Sequence, residues 1–212
     1  PNNERVFIGW MSNWNYALDT PTEKWRSAMT VPRELTLRKI DDEVMLFNYP
    51  LQSFERHVAM AYPESVLEIL PSRKRIMPLK YGNQSKIQFT LSVPNAQMYF
   101  KNTNGDSVSI DIDREKKLVT FDRRKSGKVS FSDKFSPGVQ QMKIKNIPQG
   151  PIEIALLLDH SSLELFINEG QYVMTNQIFP NDFFRALTIV NNSESELIIE
   201  DFTEHKVERM WD

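Results

Sequence analysis

Ile154-Ala155-Leu156-Leu157-Leu158-Asp159-His160-Ser161-Ser162-Leu163-Glu164-Leu165-Phe166-Ile167 decides the fold. Successive side chains on a strand point to opposite faces, so Leu163, Leu165 and Ile167 share one face. The short turn 159–162 stands in front of them, and the apolar run 154–158 stands in front of the turn. Two such runs joined by so short a turn pair as a β-hairpin.

The same period of two spreads in both directions. Residues 87–93 set Ile87, Phe89, Leu91 and Val93 against Gln88, Thr90 and Ser92. Residues 107–113 set Val108, Ile110 and Ile112 against Ser109 and Asp111, and a turn at 114–117 leads into 118–121. Residues 172–178, 186–191 and 197–202 continue the pattern. Turn chemistry falls at 136–138, 148–151 and 191–193. Helix signals are few; the best is 51–61, where Phe54 and Val58 stand four apart and Pro63 sets a limit. Many short strands with turns between them predict an all-β, antiparallel sandwich or barrel. No internal repeat or low-complexity segment interrupts it.

A boundary is expected between residues 50 and 64. Before it lies a hairpin, 33–38 with 44–47, turning at Asp41-Asp42. Tryptophan usage supports the split: three of the four lie before residue 26, and the fourth is Trp211.

Composition excludes several classes. The formal net charge is −2, from 26 basic and 28 acidic residues, so nothing draws the chain as a whole to nucleic acid or an anionic membrane. The runs Arg73-Lys74-Arg75 and Arg123-Arg124-Lys125 read as solvated turns. The chain has no cysteine, hence no disulfide, thiolate metal site or cysteine nucleophile. The greasiest run, 152–158, is far short of the roughly 18 to 20 apolar residues of a membrane helix. No signal peptide is visible at Pro1. His57, His160 and His205 are far apart and lack metal-ligand spacing, and no loop has a calcium-binding pattern, so no metal or cofactor is expected. Asp159, His160 and Ser161 are neighbours in a tight turn, where consecutive side chains diverge and cannot form a relay. A pair of carboxylates across a sugar bond also finds no candidate. Near the tryptophans lie only Asp19, Glu23 and Glu34, and Glu34 is expected to pair with Arg33 or Arg26.

The aromatics are the remaining chemistry. Trp10, Trp14, Tyr16 and Trp25 suit sugar binding: an indole or phenol face stacks on the apolar C–H face of a sugar ring while nearby Asn and Arg bond its hydroxyls. Tryptophans in a β fold also serve as packing residues. A dense aromatic cluster that begins almost at residue 1 is expected of a chain that starts inside a larger fold.

The order of these residues resembles glycoside hydrolase family 32, the invertases, inulinases and levanases. The run Ile8-Gly9-Trp10-Met11-Ser12-Asn13-Trp14-Asn15-Tyr16, then Pro21-Thr22 and Trp25-Arg26-Ser27-Ala28-Met29-Thr30-Val31-Pro32-Arg33-Glu34-Leu35, is similar to that family's last propeller blade. Asp159-His160-Ser161-Ser162-Leu163-Glu164-Leu165-Phe166-Ile167-Asn168-Glu169-Gly170, with Met174-Thr175-Asn176-Gln177-Ile178-Phe179-Pro180, is similar to its C-terminal β-sandwich. Asp122-Arg123-Arg124-Lys125-Ser126-Gly127 and Phe131 fit a weaker motif of the same module.

The resemblance implies a five-bladed β-propeller followed by a jelly-roll or lectin-like β-sandwich. Residues 1–50 would be a remnant of the last blade, 51–63 a connector and 64–212 the whole sandwich. The family's reaction needs a nucleophile in a W-M-N-D-P-N-G type motif, a stabilising acid in R-D-P and an acid/base next to a cysteine. None of the three occurs here; the nearest run, Asn181-Asp182-Phe183, lies in the sandwich. The resemblance therefore implies no catalytic residue in this chain and no turnover by it alone. It carries Trp14 over as a wall of the fructose pocket, with Asn13, Tyr16 and Trp25 beside it. It further implies fructan or sucrose as partner of the intact enzyme and a secreted or periplasmic site of action. A lone blade remnant exposes strand edges, so residues 1–50 are expected either to fold back on the sandwich or to pair with another copy, a homo-oligomer through the exposed blade edge. Two other readings stand beside it: a sandwich that binds carbohydrate on its own, and an interaction or stability domain.

Overall fold

The computed structural model describes residues 4–61, 66–92 and 95–208. Val93, Pro63 and Trp211, each used in the reading above, lie outside the described residues, as does the 64 boundary. The fold is all-β, and three sheets form. A three-stranded sheet comprises β1 (Val6–Phe7), β2 (Arg33–Ile40) and β3 (Glu43–Pro50). The expected turn joins β2 to β3, with Asp41 at φ 46° and Asp42 at φ 68°. Positive φ at both central residues is what a tight hairpin turn demands, and aspartate tolerates it.

The rest is an antiparallel sandwich. Its remaining strands are β4 (Leu67–Ile69), β5 (Lys74–Pro78), β6 (Ser85–Leu91), β7 (Asn95–Lys101), β8 (Ser107–Asp113), β9 (Leu118–Lys125), β10 (Val139–Lys143), β11 (Ile152–Asp159), β12 (Ser162–Ile167), β13 (Tyr172–Gln177), β14 (Ala186–Asn191) and β15 (Leu197–Lys206). One six-stranded sheet has the order β10-β9-β8-β7-β14-β5, and the other β13-β12-β11-β6-β15-β4. Their inner faces meet in one core that includes Met98, Phe100, Ile110, Phe121, Leu156 and Leu165, all fully buried. Each such side chain contributes about 1.5–3 kcal/mol on leaving water.

The opening hairpin is β11 and β12, in register from Ile154 opposite Ile167 to Asp159 opposite Ser162. Every residue of β12 is buried. The reason is a second layer. Leu163, Leu165 and Ile167 join the sandwich core. Phe166, from the opposite face, joins Phe54, Ala155 and Leu157 in a separate cluster with Val31 and Tyr49. The three-stranded sheet therefore packs on the outer face of the β12 sheet.

Three expectations are corrected. Residues 51–61 do not form an α-helix. A 3-10 turn spans Gln52–His57 with Phe54 as its one buried residue. Beyond it the chain extends: Val58 bridges Val207, Ala59 N–H donates to Lys206 O at 2.9 Å and Glu208 N–H donates to His57 O at 2.7 Å. The free end of β15 offers ladder partners that a helix here would forgo. The run Arg73-Lys74-Arg75 is not a turn, because Lys74 and Arg75 lie in the edge strand β5. Charged side chains suit an edge, where they discourage pairing with another chain. Nor is Arg123-Arg124-Lys125 a solvated turn. It ends β9, and Arg123 is 5% exposed. Alternation continues through the basic run, so Arg123 takes an inward position.

Candidate functional site

The aromatic segment is a loop held at its base. Met11 N–H donates to Ala28 O at 3.0 Å, Thr30 N–H to Gly9 O at 2.8 Å, and Gly9 N–H to Thr30 Oγ1 at 2.9 Å. Trp10 bridges Met29 across this ladder. At the tip, the Asn13 carbonyl accepts from Tyr16 N–H at 3.1 Å and Ala17 N–H at 2.8 Å. Asn13 Oδ1 accepts from Asn15 N–H at 2.9 Å, which makes a side-chain-closed turn and leaves Asn13 Nδ2 as a donor. Trp14 stands in that turn at 89% exposure, its ring centroid 5.0 Å from that of Trp10 and tilted by 60°.

The other two aromatics are placed differently. Tyr16 is 8% exposed and packs edge-on against Phe135 of the sandwich, centroids 5.2 Å apart. Trp25 is 43% exposed on the returning limb. That limb is braced by Arg26, whose Nη1 donates to Thr20 O at 2.7 Å and Thr22 O at 2.6 Å. Thr22 Oγ1 in turn donates to the Trp25 carbonyl. The structure therefore brings Trp10 and Trp14 together and turns Tyr16 into the sandwich.

Glu34 does not take the partner expected of it. Arg26 is committed to backbone carbonyls, and Arg33 turns to Glu164 on β12, in an ion pair with both side chains buried. Arg33 also donates to Asn48 Oδ1 at 3.0 Å and to Thr175 Oγ1 at 2.6 Å, and Glu164 Oε1 accepts from Val31 N–H at 3.1 Å. Burial raises the Glu164 carboxyl above the usual carboxylate range, against the pull of Arg33 and the Val31 N–H. Sequence reasoning missed this pair because its members stand 131 residues apart. The one signal was an acid placed mid-strand between two leucines.

Two grooves also went unread. One, of about 410 Å³, runs over the outer face of β6, β11 and β15, with Tyr49, Gln88, Glu153, Glu169, Asp201 and His205 among its walls. Burial first, then the carboxylates of Glu55, Glu153 and Glu169, push the Tyr49 hydroxyl up to about 12. The other, of about 640 Å³, is a trench along β8 floored by Ser107 and Ser109, with Tyr99 and Lys101 on one side and Asp122 and Arg124 on the other. Both are polar hydrogen-bonding surfaces, and neither includes the Trp14 loop. Among the described residues no three His, Asp or Glu side chains converge to hold a metal ion. The arrangement at Trp14 can stack and hydrogen-bond a polar ring; it brings no acid/base couple to it.

Comparison with known proteins agrees with this architecture. The family model described as glycosyl hydrolases family 32 C terminal matches residues 65–206. The one described as glycosyl hydrolases family 32 N-terminal domain matches residues 1–50. The chain is 28% identical to a levanase of Bacillus subtilis (strain 168), covering 99% of this chain and 32% of that protein. It is 27% identical to an extracellular exo-inulinase of Aspergillus niger, covering 98% of this chain and 40% of that one. The chain thus spans about a third to two fifths of the length of these relatives. Among solved structures, the exo-inulinase from Aspergillus awamori superposes with a TM-score of 0.83 at 24% identity, over 99% of this chain and 41% of its own. Fructan 1-exohydrolase IIa from Cichorium intybus superposes at 0.71 with 16% identity, over 98% of this chain and 46% of its own. At these identities the superpositions show the fold.

Proposed function

The chain belongs to glycosyl hydrolase family 32, and we propose that it supplies the C-terminal part of a β-fructosidase that hydrolyses fructan or sucrose. One observation carries the reading: in a single chain, the family's N-terminal model ends at residue 50 and its C-terminal model runs from 65 to 206. On this reading residues 1–50 are the last stretch of a β-propeller, 51–63 the connector and 64–212 the sandwich. Trp14 is a wall of the fructose pocket, with Asn13, Tyr16 and Trp25 as its neighbours. The exposure of Trp14 supports this, since a ring that is 89% accessible has a face to offer. The polymeric substrate of such an enzyme is met outside the cytoplasm, so the intact protein is secreted or periplasmic. Relatives named as extracellular exo-inulinases support that assignment.

In the intact enzyme the reaction is a double displacement with retention, through a covalent fructosyl intermediate. Its three acids are not in these 212 residues, so this chain alone does not turn over sugar. An assay of the purified chain on sucrose, inulin and levan should show no release of fructose above a buffer blank. Measurable hydrolysis by this chain contradicts the reading.

One observation favours a second role. Leu37 and Leu46 face each other across β2 and β3, with Val44 beside them, at 71%, 51% and 68% exposure. The outer edge of β3 meets the sandwich through Asn48 N–H to Gly170 O. The edge left open is that of β2 beyond Leu35, since β1 pairs with it only at Arg33 and Glu34, and on its own this chain is proposed to pair with a second copy along it. Light scattering should show a mass that rises with concentration; a monomer across the micromolar range removes this role.

A further inference from the structure

Tyr16 ties the turn that carries Trp14 to the sandwich. Trp14 is 89% exposed, yet Tyr16, two residues on, is 8% exposed. Its ring meets Phe135 at 5.2 Å and 87°, and Phe131 at 6.2 Å and 77°. Phe131 and Phe135 in turn pack on Phe179 at 5.4 and 5.5 Å. These three rings belong to the sandwich segments that follow β9 and β13, more than a hundred residues away in the chain.

The box that receives Tyr16 is itself fixed. Phe135 is fully buried, and its ring lies 3.8 Å beneath the Arg123 guanidinium. Arg123 Nη1 donates to Gln177 O at 3.0 Å, and its N–H to Gly138 O at 3.0 Å. Lys128 N–H donates to Phe179 O at 2.8 Å, beside the bridge of Gly127 to Phe179. No room exists at Gly127 for a side chain, because a Cβ would stand 2.2 Å from the Phe179 oxygen. Burial lowers the Arg123 guanidinium, and the Tyr16 phenol opposes that shift.

Trp10 and Trp14 are held by different means. Trp10 sits on the 9–11 and 28–30 ladder. Trp14 has the turn from Asn13 to Ala17, whose closing N–H groups are those of Tyr16 and Ala17, and the tilted contact of its ring with that of Trp10. The relative placement of the two indoles therefore depends on where Tyr16 is anchored. We propose that Tyr16 is a positioning residue, locked into the Phe131–Phe135–Phe179 box so that the sandwich sets where the Trp14 ring stands. The proposal rests on the reading of Trp14 as a sugar contact for its functional meaning, though its structural content does not.

The test labels the chain with 5-fluorotryptophan, assigns each fluorine resonance by single Trp→Phe changes, and compares wild type with Tyr16→Ala and Phe135→Leu. The Trp14 resonance, and that of Trp10 against it, should move toward the free amino acid in both variants. Trp25 should hold its position, and Tyr16→Phe, which keeps the ring, should restore the wild-type spectrum. A Trp14 resonance that stays put in either folded variant overturns the proposal. A role confined to packing predicts that outcome, with a lower melting temperature and an unmoved Trp14. Phe135→Leu keeps the test decisive if Tyr16→Ala does not fold. The sugar reading is tested apart from this, in an intact enzyme that carries this chain: if Trp14→Ala there leaves KM unchanged, that reading fails while the positioning result stands.

Discussion

Glu164 shows how much a single residue can hold in this chain. It sits on a strand buried on both sides, and its carboxylate answers Arg33 from the N-terminal sheet. Removing one member of a buried ion pair costs about 3–5 kcal/mol, because the other charge is left unpaired. Glu164→Ala should therefore lower stability to denaturant by about that amount. Arg33→Met with Glu164→Leu should recover most of the loss, short of about 1–2 kcal/mol for the orphaned Val31 N–H. A double variant as unstable as Glu164→Ala would show that packing, not charge, governs the site. Tyr49 offers a pH test of the same interface. Its folded value is raised from 10.0 to about 12, so the unfolded chain gives up the proton first. The stabilisation is whole below pH 10 and is lost as pH climbs to 12. The alkaline slope of the unfolding free energy should flatten in Tyr49→Phe; an unchanged slope puts the raised value elsewhere. Neither residue was legible alone: Glu164 stands as one polar position in 163–167 and Tyr49 falls beyond the hairpin of 33–38 and 44–47, and each acquires its chemistry from across the chain.

Elements were legible where both periodicity and turn agreed. The β11–β12 hairpin and the β2–β3 turn stand where the pattern puts them, since a short turn and an apolar face turned to a core fix strand register strongly. Short strands such as β5 and β10 lack an alternating apolar face, and β4 alternates over only three residues; they exist because a neighbouring edge was open to them. The 3-10 turn at Gln52–His57 replaced an expected helix for the same reason, capture by β15. Contact between elements also sets glycine use. Gly170, at φ 81°, lies so close to β3 that a Cβ would stand 2.1 Å from the Asn48 oxygen. Gly170→Ala must strain the left-handed backbone, about 1–2 kcal/mol, and push β3 away. A loss of about 2 kcal/mol or more is expected on thermal unfolding, together with faster exchange of the Asn48 amide. A melting point within a degree of wild type would contradict that account.

At the scale of the molecule, a three-stranded sheet lies against a sandwich, and a loop carrying Trp14 is held between anchors on both. That the outer face of β12 would be covered was not legible, because it carries Ser162 and Glu164 beside Phe166 and only the assembled fold shows a second layer. Membership of the family came through long runs of residues in order, while the assignment of Trp14 as a sugar contact rests on its placement in that order. On the proposed reading, this chain completes a fructosidase. The direct measurement is a chimera: the stretch of the Bacillus subtilis levanase that this chain matches, 32% of that protein, replaced by these 212 residues and assayed on levan. The chimera should release fructose, and Trp14→Ala within it should raise KM roughly tenfold, worth about 1.4 kcal/mol of binding. A chimera that folds, as judged by a cooperative melt, and yet releases no fructose would contradict the claim.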